Sequence, residues 1–365
     1  MAKWPDHRLT DLFGIEHPIV LAPMAGPGGA ELAIGVGEAG GLASLPCALL
    51  SVDQARDAIR TIREKTRAPL NLNFFCHTPP TPDATRSLAW RARLAPYYAE
   101  FGLDAEAPVP SASRRPFDAE FCALLEVERP EVVSFHFGLP DAALLARVRA
   151  TGAKIIASAT TVAEARWLEE RGCDAIIAMG LEAGGHRGSF LSDNMATQVG
   201  TFALVPQVVD AVKVPVIAAG GIGDARGIVA ALALGASGVQ IGTAYLFCPE
   251  AKVPAVHRQA LRDAHDDSTA LTNVFTGRPA RAIMNRVMRE MGPMAPVTPP
   301  FPLAGGALAP LRAKTEPDGS GDFMNLWSGQ ASSLARRERP AAELTRELAT
   351  GALARLGAQF AAATV

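Results

Sequence analysis

The chain lacks the features that would commit it to several large classes of function. It has no surplus of charge: 35 Lys and Arg stand against 37 Asp and Glu in 365 residues, a net charge of −2. Such a balance offers no field for gathering nucleic acid or anionic lipid, so small molecules are the expected partners, with no nucleic acid and no membrane. Cysteine is scarce. The five, at 47, 76, 122, 173 and 248, are odd in number and scattered, with no C-x-x-C pair to suggest zinc or a redox disulfide, and they read as a reducing cytoplasm. The first residues, Met-Ala-Lys-Trp-Pro-Asp-His, carry charge and proline where a secretory signal needs an apolar core, and no run reaches about 18 uninterrupted apolar residues. A soluble, cytoplasmic protein is expected. Also missing are G-x-x-x-x-G-K-[ST], H-E-x-x-H and G-x-S-x-G. The one literal G-x-G-x-x-G, Gly35 to Gly40, lies within and after a helical stretch instead of between a strand and a helix, so it reads as packing and C-capping.

What is present is a large apolar fraction, 48%, with 33 glycines. The apolar stretches fall into a rhythm. Strand candidates lie at Pro18–Ala25, Gly41–Cys47, Pro69–Phe75, Val132–Gly138, Lys154–Thr160, from Ala175, at Val214–Ile222 and at Gly238–Leu246, with helical patterns between them capped by Ser51 and Thr161. These strands are apolar on both faces, as parallel strands covered on both sides must be. Eight such alternations predict an α/β protein, a (β/α)8 TIM barrel, with an open doubly wound sheet as the competitor. The rhythm breaks twice. The expected organisation is barrel over 1–76, a helical excursion over 77–117, barrel over 118–248, a second excursion over 249–324 and a closing helical segment over 325–365. The two excursions are expected to join as a smaller, mostly helical lid.

In such a barrel, ligands bind at the C-terminal ends of the strands, where the loops are free of packing duties. Every unusual polar motif falls there. Met24 ends the first strand, Asn73 the third, His136 the fourth and Glu182 to His186 the sixth; Gly220 and Gly221 end the seventh, and Gly242 and Thr243 the eighth. Gly184 and Gly185 remove side-chain bulk beside His186, the one side chain there that can exchange a proton near neutral pH. Glu182 and His186 have the i, i+4 spacing of metal ligands, but the glycines between them disfavour a helix and no metal is expected. Gly220 to Gly227 opens a helix after a strand, and with Gln240-Ile241-Gly242-Thr243 it predicts a phosphate site. His136 stands open between a structural hydrogen bonder and a substrate contact. Cys47 and Cys76 read as small apolar filler.

Ala22-Pro-Met-Ala-Gly26, Asn71-Leu-Asn-Phe-Phe75, Ser134-Phe-His-Phe-Gly138, Glu182-Ala-Gly-Gly-His-Arg-Gly188, Ala218-Ala-Gly-Gly-Ile222, Gln240-Ile-Gly-Thr243 and Trp327-Ser-Gly-Gln330 together resemble the nitronate monooxygenases, formerly 2-nitropropane dioxygenases. The match runs in the family's order from about residue 8 to 340. The resemblance implies an FMN-dependent enzyme that oxidises alkyl nitronates such as propionate 3-nitronate, and neutral nitroalkanes where these are accepted, with O2 to a carbonyl compound and nitrite or nitrate. It implies FMN contacts from Ala22, Pro23, Met24, Asn73, Met179, Gly184, Gly185, Gly220, Gly221, Gln240, Ile241, Gly242, Thr243 and Gln330, with His186 as the catalytic residue. Met179 is a departure, because many relatives carry a glutamine there and a thioether cannot replace its hydrogen bond. Two other readings share parts of this pattern: an FMN-dependent NAD(P)H reductase acting on enoyl-acyl-carrier-protein or quinone, and a non-catalytic flavin or phospho-ligand binding module. Chain length of the substrate and oligomeric state are not encoded in these motifs.

Overall fold

The computed structural model describes residues 3–110 and 114–362; residues 111–113 of the first excursion, like the two extreme ends, lie outside the described residues. In chain order the strands are β1 (Ile19–Leu21), β2 (Ala43–Pro46), β3 (Leu70–Phe75), β4 (Val132–His136), β5 (Lys154–Ala159), β6 (Ala175–Met179), β7 (Gly185–His186), β8 (Val216–Ala219), β9 (Gly238–Ile241), β10 (Thr269–Thr272) and β11 (Ala280–Ile283). Eight of them form one parallel sheet in the order β1-β9-β8-β6-β5-β4-β3-β2. Bonds from Leu42 N to Ile19 O (2.9 Å) and from Leu21 N to Leu42 O (3.1 Å) join its two edges. The result is a nearly closed (β/α)8 barrel, as the alternation predicts.

The doubly apolar strands resolve into two faces once the period of two is applied. Outward residues such as Ile19, Leu21, Leu72, Phe74, Val133, Phe135, Ile155, Ile176, Val239 and Ile241 form the main core under the helices. Inward residues change character along the barrel axis. At the N-terminal end Val20, Leu42, Val132, Ile156, Ala175 and Ile217 pack with Leu9 and Phe13 of the helix Arg8–Phe13, which plugs that mouth. Towards the C-terminal end the inward positions become Ser44, Asn71, Asn73, Ser134, His136 and Ser158, where Asn71 Nδ2 donates to Ser44 Oγ (3.0 Å) and Asn73 Nδ2 to Ser134 Oγ (3.0 Å). A dry plug therefore supports a polar floor.

Local signals set the helix starts. Ser51 and Gln54 form a reciprocal capping box at the helix Val52–Lys65, and Thr161 Oγ1 accepts from Glu164 N (3.2 Å) at the helix Val162–Glu170. The last helix, Ala341–Ala362, packs against Ala30–Glu38 and Ala225–Ala233 and completes the outer ring.

The two excursions meet over the C-terminal mouth. Helix Ala84–Glu100 packs on helix Gly305–Thr315, and Trp90, Leu94, Tyr97 and Tyr98 share a separate hydrophobic cluster with Phe275, Val287, Met288, Leu311 and Phe323. The lid is mostly helical, as expected, and it also holds a small antiparallel sheet that the sequence reading did not contain. β10 and β11 pair antiparallel, and β11 pairs in turn with β7. His186 is thus not the end of a barrel strand; it sits on the edge strand of the lid's own sheet. Strands of four and two residues are too short to show a period, and their pairing is between distant parts of the chain. β1 and β9 are also shorter than predicted, because Ala22–Met24 and Gly242–Leu246 leave the sheet and turn towards the ligand basin. No described helix is long and apolar enough to cross a membrane.

Candidate active site

The strand ends and the lid enclose a basin with about 1350 Å³ of empty space, its open mouth included. Ala22, Pro23, Met24, Asn73, His136, Met179, Gly184, Gly185, His186, Gly220, Gly221, Gln240, Gly242 and Thr243 all line it. Two expected residues do not. Ile241 points outward into the main core, and Gln330 is exposed, with only its backbone N–H engaged, donating to Glu182 O (3.0 Å).

Buried guanidinium groups shape the loop that carries His186. Arg187 donates to the carbonyl of Met179 (2.8 Å) and to Gln198 Oε1 (2.8 Å), while Arg281 donates to Leu181 O (3.0 Å) and Thr269 Oγ1 (3.1 Å). Both carbonyls are thereby taken from any ligand, and Met179 offers the basin only its thioether. Glu182 is equally occupied, since its carboxylate accepts from Thr201 N (2.8 Å) and Thr201 Oγ1 (2.8 Å) at the start of the helix Thr201–Ala211. It is a helix cap. The buried Glu164 carboxylate accepts from Thr160 N (2.7 Å) and from Phe190 N (2.6 Å), and so tethers the chain just beyond His186.

His186 Nε2 lies 2.9 Å from Thr276 Oγ1, a residue of the second excursion. Its ring is surrounded by aromatic rings, with centroids of Phe301 at 5.2 Å, Trp327 at 5.3 Å, Phe137 at 6.0 Å and Phe75 at 6.2 Å. Loss of water, followed by the positive charges of Arg114 and Arg278 and the neighbouring histidines, holds its pKa well below 6.5. His186 is therefore neutral at physiological pH. His136 supports it from below: its Nε2–H donates to the His186 carbonyl (3.2 Å), so in the neutral ring Nδ1 accepts the Ser158 hydroxyl (2.6 Å). Burial pushes His136 down to about 3. Both of its ring nitrogens are used within the protein. His77 and His257 are likewise held near 4, mainly by burial.

The phosphate expectation divides in two. The helix Ala225–Ala233 has its first turn capped by Asp224, which accepts from Arg226 N (2.8 Å), so its positive end is already satisfied. Gly220 and Gly221, with φ of 108° and 71°, leave the strand in the left-handed region, and Thr243 opens a short 3-10 turn whose first N–H groups have no carbonyl ahead of them. Gln240 Oε1 is buried on the basin wall with no partner among the described residues. Cys47 and Cys76 are held as thiols, Cys47 pushed up to about 12 and Cys76 well above 9 by burial.

A strap closes the far side. Gly329 N donates to Thr243 Oγ1 (2.9 Å), Ser328 N to Arg281 O (3.3 Å) and His257 Nε2 to Trp327 O (3.0 Å), which brings Trp327, Ser328, Gly329 and Ala331 to the basin. Thr276, Arg114, Arg278, Phe301 and His77 join the site only through the lid segments. No local motif marks them.

Residues 6–351 match the family model described as nitronate monooxygenase. The chain is 43% identical over 345 residues to a nitronate monooxygenase of Pseudomonas aeruginosa, covering 93% of this chain and 97% of that one, and 41% identical over 343 residues to one of Paraburkholderia phytofirmans, covering 93% of each. Among solved structures, the nitroalkane oxidase of Streptomyces ansochromogenes superposes with a TM-score of 0.86 at 39% identity, over 96% of this chain and 99% of that one. FabK of Thermotoga maritima follows at 0.73 and 28% identity, over 97% and 98%. With the family model matched over residues 6–351 and these relatives sharing 43% and 41% of residues over nearly the whole chain, this chain belongs to the nitronate monooxygenase family of flavin-dependent oxidoreductases.

Proposed function

We propose that this protein binds FMN and oxidises alkyl nitronates with O2 to a carbonyl compound and nitrite or nitrate, with His186 as the catalytic residue that orients the bound nitronate and takes the α-proton where a neutral nitroalkane is accepted. The observation that carries the reading is His186 itself, a neutral imidazole on the wall of a glycine-lined basin, with Nε2 engaged by Thr276 and no partner on Nδ1 among the described residues. The basin fits the cofactor. Gly220, Gly221, Gly242 and Thr243 offer backbone N–H groups and a hydroxyl for a phosphate, and the unpartnered Gln240 Oε1 can accept from a donor on the bound group. Ala22, Pro23, Met24, Asn73, Met179, Gly184 and Gly185 would border the ring.

Bound flavin supplies the electron acceptor and the reaction with O2. The chain's residues do the rest. Arg114 and Arg278 surround His186 with positive charge, and no carboxylate on the basin wall opposes it except Glu182, which Thr201 consumes. An anion is favoured there, so a preformed nitronate suits the site better than a neutral nitroalkane, whose proton would have to pass to an imidazole that resists charging. The aromatic rings around His186 keep water away from that exchange.

The test is anaerobic mixing of the purified flavoprotein with a nitronate and, separately, with NADH or NADPH while flavin absorbance is followed. Bleaching by the nitronate alone is expected. Reduction by NAD(P)H alone would move the protein to the reductase reading, for which the Thermotoga likeness is the support. His186→Asn is expected to retain its flavin and to lose about 10²–10⁴ in turnover; normal turnover would remove the assigned role.

A further inference from the structure

A second cavity opens onto the first. The two share Ala25, Pro27, Arg114, His257 and Trp327, and among these only Arg114 carries a permanent charge, because His257 is held neutral. Arg114 is largely buried, and its guanidinium makes no hydrogen bond or ion pair with any described side chain; its closest aromatic contact is Phe301, whose centroid is 5.8 Å from Cζ. The three residues just before it in sequence, Ser111, Ala112 and Ser113, hold no carboxylate.

The other arginines around the basin each have a hydrogen-bonded partner, although Nε of Arg278 is left without one. Arg187 and Arg281 hold the loop carbonyls, Arg312 pairs with Glu316 at 2.9 Å, and Arg278 donates to Ser189 O while its Cζ lies 4.1 Å from the Phe137 centroid. The second cavity is lined by Lys252 and Arg312 and, among the described residues, by no Asp or Glu. A chain with net charge −2 thus presents a cationic approach to His186. A buried guanidinium with no counter-charge is costly unless a ligand completes it, and its planar fork matches a carboxylate.

We propose that Arg114 is the residue that selects substrates, by receiving a carboxylate at the far end of a short nitronate whose reacting carbon lies beside His186. The inference rests on the nitronate oxidation proposed above. Its geometry is two-point: the nitronate end in the basin and the acid end at the junction of the two cavities. Were Arg114 to hold the nitronate group itself, every nitronate would depend on it equally.

The experiment compares the flavin-loaded wild type with Arg114→Gln and Arg114→Lys, using propionate 3-nitronate and the uncharged-chain propyl-1-nitronate. For Arg114→Gln, KM for the carboxylate substrate is expected to rise roughly 10- to 100-fold, the loss of a charge-assisted pair, with a far smaller change in kcat. The change in KM for propyl-1-nitronate is expected to be several-fold smaller, and Arg114→Lys to recover part of the loss. Equal losses on both substrates, or no loss on either, would overturn the role of Arg114 while leaving the activity standing. A wild type inert towards both nitronates would overturn the activity and the inference together.

Discussion

Gly184 and Gly185 are adjacent glycines on one rim, and an added methyl group should expose opposite duties. A Cβ on Gly184 would stand 2.5 Å from Gly329 N and 2.6 Å from Ser328 C, backbone atoms of the strap that cannot rotate away. A Cβ on Gly185 would meet nothing within 4 Å, but Gly185 has φ of 72°. Gly184→Ala must therefore displace the strap, and overpacking of this kind costs about 1–3 kcal/mol. The bonds from Gly329 N to Thr243 and from Gln330 N to Glu182 O stretch with it, each contributing about 0.5–1.5 kcal/mol, so the total is roughly 2–6 kcal/mol. Gly185→Ala carries only the left-handed backbone penalty, about 1–2 kcal/mol, and puts its methyl into the basin next to His186. Urea unfolding followed by far-UV circular dichroism gives both stabilities, and KM for a nitronate gives the effect on the site. Gly184→Ala is expected to be the less stable protein, and Gly185→Ala to lose substrate affinity out of proportion to its stability. Should Gly184→Ala unfold with the wild-type midpoint, the strap does not rest on that glycine and the reasoning fails.

His136→Leu should remove the donor to the His186 carbonyl and the acceptor for Ser158, leaving two buried groups unpaired at about 1–3 kcal/mol each, visible as a lower urea midpoint; a raised KM at wild-type stability would instead make His136 a substrate contact. Native His77, His136 and His257 refuse a proton that the unfolded chain accepts near pH 6.5. Their stabilisation is thus complete above that pH and is lost as pH falls towards the folded values near 4 and 3, at up to about 1.4 kcal/mol per pH unit for each fully buried ring. Urea midpoints at pH 7 and 5 check this, and equal midpoints would contradict the burial of these rings. Gly221→Glu puts a side chain on a left-handed residue beside Glu182 and a carboxylate where the phosphate is proposed to bind, so the purified variant should carry little flavin while keeping its circular dichroism spectrum; full flavin content would count against the phosphate site.

The barrel was legible in the sequence because it is made of local signals. Apolar stretches of strand length recur eight times, with caps such as Ser51 and Thr161 between them and glycines at several strand ends, and the C-terminal rim follows from that architecture alone. His186, the glycines beside it and the Gln240–Thr243 turn could be singled out for the same reason: their types are unusual for where they fall in the rhythm. Ile241 and Gln330 show the limit of motif reading, since a motif marks a stretch of chain, while the period of the strand and the path of the strap decide which side chains face the ligand. Tertiary structure alone decided the rest. It moved His186 from a barrel strand to the lid's antiparallel sheet, set Thr276 against its Nε2, ringed it with Phe75, Phe137, Phe301 and Trp327, and left Arg114 without a counter-charge at the junction of two cavities. Those contacts join residues separated by tens to hundreds of positions, and no short-range pattern of hydrophobicity or charge encodes which distant segment will cover a site.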